Sequence, residues 1–290
     1  MTAADQAGGP TVRRMQLGSR LRRLREDKGI SRGAAGYAIR ASESKISRME
    51  LGRVGVKPRD IADLLALYDV SEAEREVLTA LTQEANSPGW WHPYGDLLAT
   101  WFQNYLDLEA AATLIRCYEV QFVPGLLQTE EYARAVIQLG YGDEDPTQVD
   151  RRVRLRMVRK QLLDRPDAPR LWAVIDEAVL SRPIGGPGAM RRQIEALRQA
   201  CTHPAVWLQI LPFHAGGHAA AGGAFTILRF GEAELTDVIY IEHLTSALYL
   251  DRRDDVDKYT AAAGRLVIEA EPPERTPAIL DRLLADYPDR

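Results

Sequence analysis

The sequence predicts two domains of different fold class: an all-α domain of five helices, followed by an α+β domain with a mainly antiparallel sheet. Three observations lead to this prediction. The chain has 290 residues, whereas a single domain typically has about 100–200. Apolar residues recur at helical spacing as far as Glu84, and strand-like runs appear only beyond the Asn86–Gly89 turn. Positive charge is concentrated in the helical part.

The net charge of −4 hides a strong asymmetry. The stretch from Arg13 to Arg59 has fourteen Lys and Arg against four Asp and Glu, a charge of +10, so the rest of the chain carries −14. A basic module joined to an acidic body predicts a polyanionic partner at one end.

Composition also argues against several classes of protein. The first ten residues have no apolar signal-peptide core, and no window approaches the ~18 apolar residues of a membrane helix. We therefore expect a cytoplasmic protein with no membrane partner. Cys117 and Cys201 lie far apart without a CxxC pair, so we expect no disulfide framework and no metal site. We expect no cofactor, because the glycine-rich segments lack the pattern of a phosphate loop or of a dinucleotide fingerprint.

The helical domain is expected over residues 12–86, after a disordered tail over residues 1–11. Its first helix places Leu17, Leu21 and Leu24 at helical spacing and ends at Gly29. The other four helices each begin at a residue suited to a helix start, in chain order Ser31, Ser42, Pro58 and the Ser71-x-x-Glu74 capping box.

The α+β domain is expected over residues 87–290, beyond the Asn86–Gly89 turn. The predicted strands are Leu114–Phe122, Leu171–Leu180, Val206–Leu211, Phe225–Phe230, Val238–Glu242 and Leu248–Leu250. Helices are predicted from Thr129 to Leu139 and over Gln148–Leu163, Met190–Ala200, Asp254–Glu269 and Thr276–Asp286.

Residues 31–50 have the sequence pattern of a helix-turn-helix. Gly36 is small enough for two helices to cross closely, and Ile39, Ile46 and Met49 form an apolar wedge between them. The third helix then turns a polar face outward, made of Glu43, Ser44, Lys45, Ser47 and Arg48. Such a helix fits the major groove of DNA, which is roughly 12 Å wide.

Residues 12–70 resemble the lambda-repressor-like, XRE-type helix-turn-helix family. Ser42–Gly52 matches the family's Ser-x-x-x-Ile-Ser-Arg-x-Glu-x-Gly recognition segment at every defined position. Two residues depart from the pattern. Arg32 replaces the usual glutamine at the start of the second helix, and Arg40 stands in the turn where glycine is common.

The resemblance implies roles for individual residues. It implies a structural ion pair between Arg25 and Glu50, and Ser42 as a cap that also contacts the DNA backbone. The side chains implied or expected to face DNA are Arg32, Glu43, Ser44, Lys45, Ser47, Arg48 and Arg53.

Residues 90–270 resemble the DUF5753-type domain found at the carboxy terminus of a large family of regulators from GC-rich filamentous bacteria. The most specific match is Val123–Ala133, VPGLLQTEEYA. Members are described as antitoxin-like and as paired with a small partner protein. The resemblance therefore implies a domain that senses a protein partner or a small-molecule effector.

Other features have ordinary interpretations that we favour. His214 and His218 lie in a Gly/Ala-rich segment, where their spacing does not predict a zinc site. The adjacent pairs Asp176-Glu177 and Glu242-His243 are not expected to be catalytic acid–base pairs, because neighbouring residues of a strand point to opposite faces. We expect them to be ordinary charged residues at the edges of strands. The arginines of residues 151–160 could contact phosphate, but we favour a solvated or ion-paired helix face. We expect the aromatic residues of 90–105 to form domain core and not a ligand pocket or a subunit interface.

The sequence therefore predicts a sequence-specific DNA-binding regulator, a homodimer on a pseudo-palindromic site of double-stranded DNA, modulated through its carboxy-terminal domain. The alternative is an antitoxin-like protein whose carboxy-terminal domain holds a small partner protein and whose DNA binding is autoregulatory. We do not expect an enzyme, because the second domain has no nucleophile elbow, metal-ligand spacing or phosphate loop.

Overall fold

The structure is a computed structural model that describes residues 9–141, 145–232 and 235–287. These residues form two compact units. The first contains the described residues up to Pro93, Phe102–Ala111 and the described part of 231–235. The second contains Tyr94–Trp101, residues 112–230 and the described residues from Thr236 onward. No described helix is both long enough and apolar enough to cross a membrane.

The first unit is all α, as predicted. Its helices are α1 (Pro10–Asp27), α2 (Arg32–Ala38), α3 (Glu43–Glu50), α4 (Pro58–Leu67), α5 (Glu72–Ala85) and, from Phe102 onward, α6 (Thr100–Ala111). Ser31, Ser42 and Ser71 each cap a helix by accepting a hydrogen bond from the backbone N–H three residues on. The core shared by helices α1 to α5 consists mainly of leucines and isoleucines, and it includes Met49, Val56 and Tyr68.

Helix α6 and the start of α1 differ from the sequence prediction. Residues 1–8 of the expected tail lie outside the described residues, but Pro10 and Thr11 are helical and buried. Both the backbone N and Oγ1 of Thr11 donate to Oδ2 of Asp107, and Nε1 of Trp91 donates to Oδ1 at 2.8 Å. Burial still raises the pKa of Asp107, against these donors. The sequence predicted no helix at Thr100–Ala111, so α6 is a correction.

The second unit is α+β, as predicted. Its strands are β1 (Leu114–Glu119), β2 (Arg170–Asp176), β3 (Val206–Leu211), β4 (Phe225–Arg229), β5 (Val238–Glu242) and β6 (Ala247–Leu250). They form one sheet in the order β3-β2-β1-β4-β5-β6. The β1–β2 and β2–β3 pairs are parallel and the other three pairs are antiparallel, so the sheet is mixed and mostly antiparallel.

The helices of this unit are α7 (Glu130–Tyr141), α8 (Pro146–Lys160), α9 (Glu177–Ser181), α10 (Pro187–Ala200), α11 (Arg253–Glu269) and α12 (Thr276–Asp286). The strand predicted over Leu171–Leu180 is wrong beyond Asp176. Oδ1 of Asp176 accepts from the backbone N of Ala178 at 2.9 Å, which caps α9 and ends the strand. The first strand likewise ends at Glu119, not at Phe122.

Helix α11 covers one face of the sheet. Val256, Ala263 and Leu266 of α11 share a buried cluster with apolar residues of β1, β2, β4 and β5. The opposite face is buried as well, for example at Ile115 and Ala173. A sheet with both faces covered explains why its strands are apolar on both sides and do not alternate cleanly.

Candidate nucleic-acid interface

Helix α3 presents a capped and exposed amino-terminal end. The Oγ of Ser42 accepts from the backbone N of Lys45 at 3.2 Å, and Ser42, Glu43 and Ser44 are exposed. Arg48 is also exposed, with its Nε 3.4 Å from the carbonyl oxygen of Ser44. Ile46 and Met49 on the other side of the helix are buried. The polar face predicted for this helix is therefore accessible to a large partner.

The turn before α3 depends on two backbone positions. A Cβ on Gly36 would lie 2.8 Å from the carbonyl oxygen of Ala41, so α2 approaches the turn too closely for a larger residue. Arg40 has φ +54°, in the left-handed region that favours glycine. The departure of Arg40 from the usual glycine is thus accommodated with backbone strain.

The carboxy-terminal end of α3 is fixed to α1 by a buried ion pair. Nε and Nη2 of Arg25 lie 2.5 and 3.0 Å from the two carboxylate oxygens of Glu50, and Nη1 donates to the carbonyl of Ile30. Both side chains are less than a tenth exposed. The hydrogen bond to Glu50 raises the pKa of Arg25. The structure thus contains the pair that the resemblance implied.

The hydroxyl of Tyr68 lies near this ion pair and is buried, with no hydrogen-bond partner among the described residues. Burial raises the pKa of Tyr68 to about 12, with a further contribution from the negative charge of Glu50.

Two side chains expected to face DNA have partners within the protein. Nε of Arg32 lies 3.0 Å from Oε2 of Glu50, so that carboxylate holds two guanidinium groups. Nζ of Lys45 lies 2.5 Å from Oδ2 of Asp60 in α4. Both are about one-third exposed, Ser47 is half-buried, and Arg53 is exposed. No spacing in the sequence indicated either pair.

The arginines of α8 are engaged within the second unit. Arg151 pairs with Asp96 at 2.7 Å, and Arg152 donates to the carbonyl of Leu97. Arg156 donates to Oε1 of Gln128, and Arg159 is buried. This charge run anchors neighbouring loops, which favours the structural interpretation of it over a phosphate contact.

His218, from the Gly/Ala-rich segment, takes part in a chain of hydrogen bonds at the carboxyl end of β1. Nε2 of His218 lies 3.0 Å from Oη of Tyr118, and that hydroxyl donates to Oδ2 of Asp176 at 3.3 Å. The side chain of Glu177 accepts from the backbone N of Phe213. Among the described residues, no three His, Cys, Asp or Glu side chains are grouped to hold a metal ion. This chain of hydrogen bonds was not predictable from sequence spacing, because its members are far apart in sequence.

Two families of protein domains match this chain. The domain of unknown function DUF5753 matches residues 102–282, and a helix-turn-helix domain matches residues 16–78. The protein belongs to the DUF5753 family. Comparison with curated proteins and with solved structures finds no match. The helix-turn-helix match supports a DNA-binding regulator, and the resemblances stated from the sequence to a helix-turn-helix regulator and to a DUF5753-type domain are confirmed.

Within the DUF5753 domain, β1 ends at Glu119, whose surroundings disfavour a negative charge on its carboxylate. The pKa of Glu119 is raised to about 8, because the group is withdrawn from water and because the negative charge of Glu242 is near. The guanidinium groups of Arg159 and Arg156 act in the opposite direction without cancelling the effect.

We expect Glu119→Gln to stabilise the DUF5753 domain at alkaline pH. The folded protein holds the proton of Glu119 more tightly than an unfolded chain, whose carboxyl has a pKa of 4.5. This contribution to stability is complete below pH 4.5 and is lost as the pH rises to about 8. The melting temperature of the variant relative to the natural protein should therefore rise between about pH 5 and pH 8.5. Glu130→Gln, at a mostly exposed carboxylate of α7, is the control. An identical pH dependence of the two variants would contradict the prediction.

Proposed function

We propose that this protein is a sequence-specific transcriptional regulator that binds a pseudo-palindromic site as a homodimer and is modulated through its DUF5753 domain. The observation that carries the proposal is the accessible amino-terminal end of α3, with Glu43, Ser44 and Arg48 on its surface. Side chains at this end of a recognition helix reach base edges in the major groove. A chromosomal target would place the protein in the cytoplasm.

The way α3 is held supports this role. Glu50 ties its last turn to α1, and Lys45 ties its first turn to Asp60 of α4. A helix fixed at both ends offers its remaining polar side chains in a defined geometry, which limits the entropy lost on binding. Arg48 and Arg53 are exposed, and we assign them to base and phosphate contacts within a stretch whose charge of +10 favours DNA at low salt.

The proposal gives the DUF5753 domain a regulatory task and no catalytic one. Two acidic residues at the ends of strands, Asp176 and Glu242, have structural partners: Asp176 caps α9, and Glu242 accepts from Oη of Tyr240 at 2.8 Å. A protein partner or a small effector would change DNA affinity only by binding the DNA-competent and DNA-incompetent states with different affinities. The antitoxin-like alternative predicts a small protein retained on the full-length chain.

We expect Arg48→Ala and Arg53→Ala to affect DNA binding differently. Arg48 lies on the exposed face of α3, so its loss should relax base preference at one position per half-site, worth about 1–3 kcal/mol. Arg53 lies beyond the helix, so its loss should weaken binding to all duplexes and reduce the salt slope by about one. Selection of binding sites from random duplexes, followed by titration at several salt concentrations, measures both effects.

The same selection tests the proposed function as a whole. Recovery of a palindrome with half-sites about 34 Å apart supports a dimer with two recognition helices. Arg154→Ala, at an exposed arginine of α8, is the charge-matched control and should bind as the natural protein does. Equal loss of specificity in the Arg48 and Arg53 variants would contradict the assigned roles, and failure to enrich any sequence would contradict the proposed function.

A further inference from the structure

The turn between α2 and α3 contains an arginine in a backbone conformation that suits glycine better. The backbone N of Ala41 donates to the carbonyl of Gly36 at 2.8 Å, and that of Arg40 donates to the carbonyl of Tyr37 at 3.1 Å. These two bonds form a Schellman motif, which requires a left-handed residue at position 40, and Arg40 has φ +54°. Glycine adopts this conformation without steric cost, whereas a residue with a Cβ is strained. The turn itself therefore gives no reason for an arginine side chain.

The side chain of Arg40 is exposed and makes no hydrogen bond, ion pair or ring contact with any described residue. Two other cations of the helix-turn-helix differ in this respect, because Arg32 is held by Glu50 and Lys45 by Asp60. The carboxyl end of α2 attracts a cation, but an exposed charge gains less there than the left-handed conformation costs. The guanidinium of Arg40 is thus available to a partner outside the protein.

Tyr37 provides a second available donor close to Arg40. Its side chain is 88% exposed and makes no contact of these kinds with the described part of the chain. Since the carbonyl of Tyr37 accepts from the backbone N of Arg40, the two side chains start close together. Arginine and tyrosine are both common donors to the phosphate oxygens of nucleic acids.

The turn that carries Arg40 adjoins the end of α3 that the proposed function places in the major groove. Ser42, the cap of α3, follows Arg40 by two residues, and both Ser42 and Glu43 are exposed. When the first turn of a recognition helix contacts base edges, the residues just before it lie beside the sugar–phosphate backbone. Arginine binds phosphate strongly, through two parallel charge-assisted hydrogen bonds.

We propose that Arg40, together with Tyr37, binds a phosphate of the DNA backbone at the edge of the groove that α3 enters. This assignment rests on the proposed function and adds two contact residues to it. The contact adds affinity for any duplex and fixes the register of α3, but it does not distinguish bases. It also explains the strained turn, because glycine at position 40 would relieve the strain and remove the phosphate contact.

Arg40→Gly tests the proposal through two opposite changes. The melting temperature of the full-length protein should stay equal or rise, because glycine accepts the left-handed conformation. Affinity for DNA should fall roughly fivefold to tenfold at about 0.1 M salt, and the slope of log affinity against log salt should lose about 0.9. Fluorescence anisotropy with a duplex selected from random sequences and with an unrelated duplex measures both, and the loss should be equal for the two duplexes.

Three further variants separate charge, hydrogen bonding and position. Arg40→Lys keeps the charge and should keep the salt slope. Tyr37→Phe removes an uncharged donor, so it should lower affinity without changing the slope. Arg154→Gln removes a charge from an exposed position of α8 and should change neither quantity.

The outcomes distinguish this proposal from the proposed function. Natural affinity and salt slope in Arg40→Gly would contradict the phosphate contact alone, whatever the melting temperature. A loss of base preference at one position of the site would also contradict it, because Arg40 would then read a base. A natural protein that binds no duplex would contradict the proposed function and the phosphate contact together.

Discussion

Replacing Glu50 by glutamine should lower the free energy of unfolding of the helical unit by about 3–5 kcal/mol. The carboxylate of Glu50 is almost fully buried and accepts hydrogen bonds from both Arg25 and Arg32. The amide would leave two guanidinium groups facing each other without a negative charge between them, and the one on Arg25 is itself buried. Urea denaturation followed by circular dichroism measures the loss, and hydrogen exchange at α1 and α3 assigns it to this unit.

Glu26→Gln provides the matched control for this prediction. Glu26 also pairs with Arg25, at 3.3 Å, and with Arg22, but its side chain is about half exposed. Exposed ion pairs contribute roughly 0–1 kcal/mol, so this variant should unfold almost as the natural protein does. Similar losses in the two variants would show that burial of Glu50 does not determine its contribution. We also expect Glu50→Gln to weaken DNA binding, because the last turn of α3 loses its link to α1.

The local features of the fold were predictable from the sequence because they depend on neighbouring residues. Ser31, Ser42 and Ser71 satisfy backbone N–H groups three residues away, and Pro58 begins α4. The strands Val206–Leu211 and Val238–Glu242 have the predicted ends, since their apolar runs coincide with their pairing. The Arg25–Glu50 pair was implied by the family resemblance and not by spacing.

What the sequence did not reveal depends on contacts between distant residues. The buried carboxylate of Asp107 accepts hydrogen bonds from Thr11 and Trp91, and neither partner is close to it in sequence. The family resemblance implied that Lys45 faces DNA, but α4 brings Asp60 beside it and the two side chains form an ion pair. The strand pattern around Arg116 gives no sign that its Nε is buried without an acceptor among the described residues, because that depends on the sheet register.

Gly18→Ala should destabilise the helical unit by at least about 1–3 kcal/mol. A Cβ on Gly18 of α1 would lie 2.5 Å from the carbonyl oxygen of Met49 and 2.6 Å from that of Glu50. Both atoms belong to the backbone at the end of α3, so no side-chain rotation relieves the clash. Alanine favours helix by about 1 kcal/mol over glycine, and the predicted loss is net of that gain. Thermal denaturation should show a melting temperature lower by several degrees.

Gly33→Ala separates the clash from the general effect of replacing glycine in a helix. Gly33 lies in the first turn of α2, where an added Cβ meets only Oγ of Ser31, at 3.8 Å, so this variant should be as stable as the natural protein or up to about 1 kcal/mol more stable. Since Gly18 contacts the helix that carries Arg48, its replacement should also reduce DNA affinity by displacing α3 from α1. A lower melting temperature with unchanged DNA affinity in Gly18→Ala would contradict this second expectation. The close packing of α1 and α3 would then serve stability alone, and the Arg25–Glu50 and Lys45–Asp60 pairs would set the orientation of α3.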